Sequence, residues 1–194
     1  PIAEPDAQKM TLIPFFDLHH ERYTVYWDVM SAEEYRTHVD HEQEKAAALR
    51  KITVDFVQPG EQQPETDHQI QFKQSEVGYR NLLDRRWRDA RDGGFVSYQM
   101  RVNPEEENKL MLTYFGGDHD QMIDGKTFKR EFELMIDGEV IATEKLERSG
   151  DDLFDKTYPI PLELTKGKEQ VEVKFQAGKE KIAGALYGVR TIVE

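Results

Sequence analysis

Arg85-Arg86-Trp87-Arg88-Asp89-Ala90-Arg91-Asp92-Gly93-Gly94-Phe95-Val96-Ser97-Tyr98 is the stretch from which the fold is read. From Val96 onward the apolar positions are Val96, Tyr98, Met100 and Val102, with Ser97, Gln99 and Arg101 between them. A period of two marks a half-buried β-strand, because successive side chains point to opposite faces. Gly93-Gly94, just ahead of it, lets the backbone turn sharply or approach another group closely without a Cβ penalty. Trp87 can bury a large ring, and the arginine–aspartate alternation around it can neutralise itself through bidentate pairs. A charged cluster beside a core strand is either a folding latch or a polar recognition surface.

Outward from there, strands follow one another. Leu110, Leu112 and Tyr114 line one face; Phe128, Phe132, Leu134 and Ile136 line another, opposite Lys129, Glu131 and Glu133. Asp137-Gly138, ahead of Glu139-Val140-Ile141-Ala142, is the strongest short hairpin signal in the chain. Tyr158-Pro159-Ile160-Pro161-Leu162 is expected at an edge or in an extended passage, since proline cannot donate to a ladder. Val171, Val173 and Phe175 alternate with Glu172 and Lys174, and Gly184–Val193 supplies a last strand. Strands at this spacing, separated by glycine turns, predict an antiparallel two-sheet sandwich.

Before the cluster, Ile52, Val54 and Phe56 alternate with Thr53, Asp55 and Val57 as a strand, and Pro59-Gly60-Glu61-Gln62-Gln63-Pro64-Glu65 reads as a rigid loop. Ser31 and Glu34 have capping-box spacing, and Ala46-Ala47-Ala48-Leu49 has high helix propensity, which predicts a connector helix over about Ala32–Arg50. Residues 1–30 read as an arm with one or two strands over Thr11–Trp27 left from a preceding β-domain, 31–51 as the connector helix, and 52–194 as the sandwich.

Composition narrows the function. The 194 residues carry 38 acidic and 26 basic side chains, a net charge of −12, so nucleic acid and anionic membrane surfaces are disfavoured partners. Cysteine is absent, which excludes disulfides, thiolate metal sites and a cysteine nucleophile on this chain. No apolar run approaches the length of about 20 residues that a membrane helix needs. The chain opens on Pro1, without an initiator methionine or signal peptide, and is expected to be a piece of something longer.

Metal sites are weakly indicated. His19-His20 are strand neighbours that face opposite sides, and His38 and His41 fall on a charge-laced helix. Gly116-Gly117-Asp118-His119-Asp120 resembles oxygen-rich calcium loops, but Asp118 and Asp120 plus carbonyls fall short of the roughly six to eight oxygens calcium takes, so a structural turn is expected. No cofactor is expected. Trp27, Trp87, Tyr98 and Tyr114 are the groups that could stack on a sugar. Glu61 or Glu65 with Asp89 could form an acid/base pair only if two carboxylates faced one cleft.

Several stretches together resemble the C-terminal extension of β-L-arabinofuranosidase-like glycoside hydrolases of families 127 and 146. They are Pro14-Phe15-Phe16, His19, Arg22-Tyr23 and Tyr26-Trp27; Pro59–Glu65 with Asp67-His68; Trp87-Arg88-Asp89-Ala90 with Gly93-Gly94-Phe95 and Ser97-Tyr98; then Tyr114, Gly116, Asp137-Gly138 and Gly184 to Arg190. In that family, hydrolysis belongs to an upstream helical barrel with cysteine ligands, and the extension is a domain of unknown function. Taken with the strand spacing and the capping box, the resemblance leads to an expected fold that is a mainly β, jelly-roll-like antiparallel sandwich of the carbohydrate-binding-module kind with one N-terminal helix. It implies no catalytic residue, a periplasmic or extracellular setting as in gut Bacteroidetes, and an upstream catalytic domain as partner. Such a module is expected to brace the barrel, with binding of arabinan or arabinogalactan as the alternative. Glu65, Asp67, His68, Trp87, Arg88, Asp89 and Tyr98 are the interface or ligand candidates, with Arg88 paired to Asp89, Glu65 or Asp67.

Overall fold

The computed structural model describes residues 2–3 and 29–193, and side chains over 31–193. The expected strands within Thr11–Trp27, and His19, His20 and Trp27, lie outside the described residues. The chain forms two compact units, Pro1–Lys51 and Ile52–Glu194. In the first, β1 (Ile2–Ala3) runs parallel to β2 (Val29–Met30), and α1 spans Ala32–Ile52. Its N-terminus is held by the reciprocal capping box: the Ser31 N–H donates to Glu34 Oε2 at 2.8 Å, and the Glu34 N–H to Ser31 Oγ at 3.2 Å. These bonds hold the Glu34 carboxyl below the usual range. None of the α1 side chains is buried, so the helix rests on propensity and capping.

The second unit is a mainly β, antiparallel sandwich. One sheet has the order β10 (Glu139–Lys145), β9 (Glu131–Ile136), β12 (Gln170–Ala177), β5 (Arg85–Arg101), β13 (Ile182–Leu186), with β4 (Gln71–Arg80) along the other side of β5. The other runs β11 (Leu153–Pro159), β6 (Asn108–Phe115), β14 (Gly188–Val193), β3 (Thr53–Val57). A small hairpin, β7 (Gln121–Ile123) with β8 (Lys126–Phe128), stands apart. Val96, Tyr98 and Met100 of β5 meet Leu110, Leu112 and Tyr114 of β6, Leu134 and Ile136 of β9, and Val171, Val173 and Phe175 of β12 in one core. The alternation read from the sequence is thus the inward face. Strand β11, which ends on Pro159, lies at a sheet edge, and Asp137 and Gly138 take left-handed φ of 48° and 87° in the two-residue turn joining β9 to β10.

Four readings are corrected. The strand does not begin at Val96: β5 runs unbroken from Arg85, its Arg88–Arg91 half pairing with β13 and its Phe95–Arg101 half with β12. The glycine pair accommodates close approach, since a Cβ on Gly94 would stand 2.3 Å from the Lys73 carbonyl oxygen. Gly184–Val193 is not one strand but the end of β13 and all of β14. On β3 the buried residues are Asp55 and Val57, while Phe56 is exposed under the Arg190 guanidinium. Lastly, Pro59–Glu65 is not all loop, because α2 (Gln62–Asp67) begins inside it. Pro64 fits there because first-turn N–H groups have no intrahelical acceptor to lose.

Candidate functional site

The residues singled out by sequence divide between the two faces of β5. Arg88, Ala90, Val96 and Tyr98 face the main core; Trp87, Asp89 and Arg91 alternate to the other side.

On the core side, α2 delivers Glu65, only 4% exposed, to Arg88, 8% exposed. The guanidinium donates from Nε to Glu65 Oε1 at 2.6 Å and from Nη2 to Oε2 at 2.7 Å, a bidentate pair. Oε1 also accepts from the Gly60 N–H at 2.8 Å and from Tyr98 Oη at 3.0 Å. Arg88 Nη1 donates to Ser75 Oγ at 3.0 Å, and its guanidinium lies 5.0 Å from the Phe72 ring centre. Burial, with the Glu65 carboxylate beside it, pushes the Tyr98 hydroxyl well above its ordinary range. Of the acids expected to pair with Arg88, Glu65 is the partner; Asp67 instead accepts from Gln63 Nε2 at 2.7 Å at the surface.

His68 ends α2 and bridges it to β3. Its Nδ1 meets the Pro64 carbonyl at 2.6 Å and its Nε2 meets Asp55 Oδ1 at 3.2 Å. Both ring nitrogens can donate only in the imidazolium form. The Asp55 hydrogen bond raises the His68 pKa against the opposing effect of burial. Burial alone would raise Asp55, but donation from His68 and from the Arg101 side chain and backbone outweighs it and holds the carboxyl far below its ordinary value. These polar groups lock loop, helix and two strands together: a latch.

On the other side, Trp87 lies half-buried in a second apolar cluster with Phe115, Ala185, Tyr187, Leu83 and Leu153. Its indole packs against Gly78, where a Cβ would stand 2.2 Å from Cζ2. Asp89 is fully buried, gripped through Oδ2 by Arg91 Nε at 3.1 Å and Nη2 at 3.0 Å, and burial raises its pKa. Glu65 and Asp89 therefore approach β5 from opposite faces, and Glu61 pairs with Arg86 at 3.1 Å. The shared cleft an acid/base pair needs is not formed. Asp118 sits between Arg80 at 3.5 Å and Arg130 at 3.8 Å, and Asp120 accepts from the Arg130 N–H at 3.0 Å, so both are engaged in closing the β6–β7 turn.

Sequence reasoning missed one feature. At one end of the sandwich, the turn after β4 (Asn81–Leu83), the glycine turn after β6 and the β10–β11 loop enclose a cleft of about 410 Å³. It is lined by Arg80, Leu82, Leu83, Phe115, Gly117, Arg148 and Asp151. Gly116 ties the loops, bonding to Asp152, Ser149 and Gly150 through its backbone. Gly117 leaves room for the Phe115 ring, 2.3 Å from where its Cβ would stand. Leu82 is 96% exposed. The available signal was Leu82-Leu83 inside an otherwise charged turn, Arg80 to Arg86.

Fold and site together define a β-sandwich domain in which Glu65, Arg88, Tyr98 and His68 are bonded inside the fold and an open cleft lies among end loops. Residues 48–192 match the family described as a family of unknown function, DUF6805, and the chain belongs to it. No curated protein matches. Among solved structures the chain is similar to a family 35 carbohydrate binding module from Clostridium thermocellum (9% identity, 72% of this chain and 97% of that one, TM-score 0.45). It is similar also to the C-terminal CBM6 of LamC from Zobellia galactanivorans (10%, 71% and 97%, 0.42) and to the ANX1 ectodomain from Arabidopsis thaliana (11%, 71% and 40%, 0.47). Likeness at this level says nothing of ligand or activity.

Proposed function

We propose that this chain is a non-catalytic module that recognises carbohydrate through the loop-end cleft. One observation carries the reading. The acids and arginines of the latch are saturated by partners within the fold, whereas the cleft keeps exposed leucine beside a fixed guanidinium. Apolar side chains with a few placed polar groups are what a small-ligand site requires, since the first pack on the ring's C–H face and the second orient its oxygens. The resemblance to the arabinofuranosidase extension supports arabinan or arabinogalactan as the glycan, an upstream glycoside hydrolase barrel as parent, and a periplasmic or extracellular setting. Retardation of the chain in native gels containing arabinan or arabinogalactan, relieved by Leu82→Ser, is the expected result. Unchanged migration in every neutral and acidic plant glycan would remove the reading.

A second reading, bracing of the parent barrel, is favoured by a different surface. Strand β4 lies at a sheet edge, and Phe72, Val77 and Tyr79, opposite Val96, Arg88 and Arg86, share a face and are 55%, 42% and 51% exposed. A long edge strand with an apolar face is normally covered or charged. In the parent polypeptide, Phe72→Lys with Tyr79→Lys is then expected to lower the melting temperature of the catalytic domain. An unchanged melting temperature would rule bracing out.

A further inference from the structure

The cleft's chemistry points beyond neutral sugars. Arg80 is held in place from three directions: its guanidinium lies 3.9 Å from the Phe115 ring centre, Nε donates to Tyr187 Oη at 2.9 Å, and Nη2 faces Asp118 at 3.5 Å. Its Nη1 donates to nothing among the described residues. Asp118 does not neutralise Arg80 alone, because the buried Arg130 shares the same carboxylate oxygen at 3.8 Å. Arg148, across the cleft, is well exposed and contacts Asp151 at 3.0 Å. The lining therefore carries two guanidiniums against one carboxylate in a chain whose net charge is −12. A guanidinium stacked on a ring has lost most of its freedom before a ligand arrives, so a planar oxyanion can be met at little further entropic cost. The side chains around it, Leu82, Leu83 and Phe115, are apolar and suit a ring's C–H face better than a strongly hydrated phosphate.

The geometry points to a carboxylate-bearing sugar, a uronic acid unit of an acidic glycan, as the ligand of this cleft, with Arg80 and Arg148 on the carboxylate and Leu82 against the ring. This rests on the carbohydrate reading above and puts an acidic glycan in place of neutral arabinan as the ligand.

The test is calorimetric titration of the full chain with galacturonate oligomers, the same oligomers as methyl esters, neutral arabinan oligomers, and acetate. Binding of the acid oligomers at least tenfold tighter than their esters is expected, weakening steeply with added salt. Arg148→Gln and Leu82→Ser, both at exposed positions, should each weaken it at least fivefold while leaving the circular dichroism spectrum unchanged. Equal affinity for acid and ester, or tighter binding of arabinan, would overturn the uronate inference and leave carbohydrate recognition standing. Acetate binding as tightly as the oligomers would overturn it by reducing the cleft to a free-carboxylate site, and no binding by any sugar would remove both readings.

Discussion

At the scale of single residues, the cluster around Trp87 was legible in composition but not in partition. A run such as Trp87-Arg88-Asp89 on a strand must send its middle member to one face and its neighbours to the other, so the three never formed one patch. Which acid takes Arg88 depends on α2, whose approach no local pattern encodes. The pairing has a measurable consequence. Glu65→Gln strands a guanidinium that is 8% exposed, and an unpaired buried charge of this kind costs about 3–5 kcal/mol. Replacing the pair together, Glu65→Leu with Arg88→Met, should cost less than Glu65→Gln alone. Urea unfolding of the variants measures both, and a cost below about 1 kcal/mol for Glu65→Gln would contradict the latch. His68 supplies a pH signature. Its folded pKa lies above the ordinary 6.5, so its pairing stabilises the fold fully below that pH and is lost as pH rises through the folded value. Asp55 has the opposite sign: its contribution is present above the ordinary 3.8 and is lost on acidification. The stability difference between wild type and His68→Gln should therefore be fully developed below the ordinary pKa of 6.5 and shrink as pH rises above it. A difference that stays flat across that range would mean His68 is not held as the imidazolium.

At the scale of elements, strands and hairpins with a strict pattern read correctly, while departures came where a tertiary partner overrode it. The capping box and alanine run placed α1 because a helix that buries nothing depends on local terms alone. Asp137-Gly138 marked a hairpin, and Asp124-Gly125, the same dipeptide with φ of 49° and 77°, makes the β7–β8 turn for the same steric reason. On β3 the apolar alternation pointed the wrong way, because Asp55 gains three donors by turning inward. Pro59–Glu65 looked like loop because two prolines bracket it, yet a proline in a first turn costs a helix no hydrogen bond. Pairing of β4 with β5 depends on glycine at a position where the sequence shows only Val77-Gly78-Tyr79. Gly78→Ala places a methyl against the Trp87 ring and is expected to destabilise the domain by about 1–3 kcal/mol, since overpacking forces the ring or strand to move. The tryptophan emission should shift with it. An unchanged spectrum and an unchanged unfolding midpoint would show that the ring does not rest on Gly78.

At the scale of the whole molecule, fold class was legible because binary patterning and turn spacing determine layers. Strand order and the loop-end cleft were not, since both arise from segments far apart in sequence that meet only when the sandwich closes. Leu82 and Arg148 come from two separate connections and Phe115 from the end of β6, and none carries a motif. The division into Pro1–Lys51 and Ile52–Glu194 has its own physical content. Among the described residues the core cluster draws all its members from Val57 onward, and each latch contact joins residues beyond Asp55 or Asp55 itself. A unit holding its own core and its own buried polar pairs should fold without the preceding segment. A polypeptide of residues 52–194 is therefore expected to keep the β-type circular dichroism of the full chain and to unfold in one cooperative urea transition. Its midpoint should match that of the full chain, because no buried side chain is contributed by α1. Loss of cooperativity, or a large drop in midpoint, would mean that the first 51 residues supply part of the sandwich's stability and that the two units fold as one.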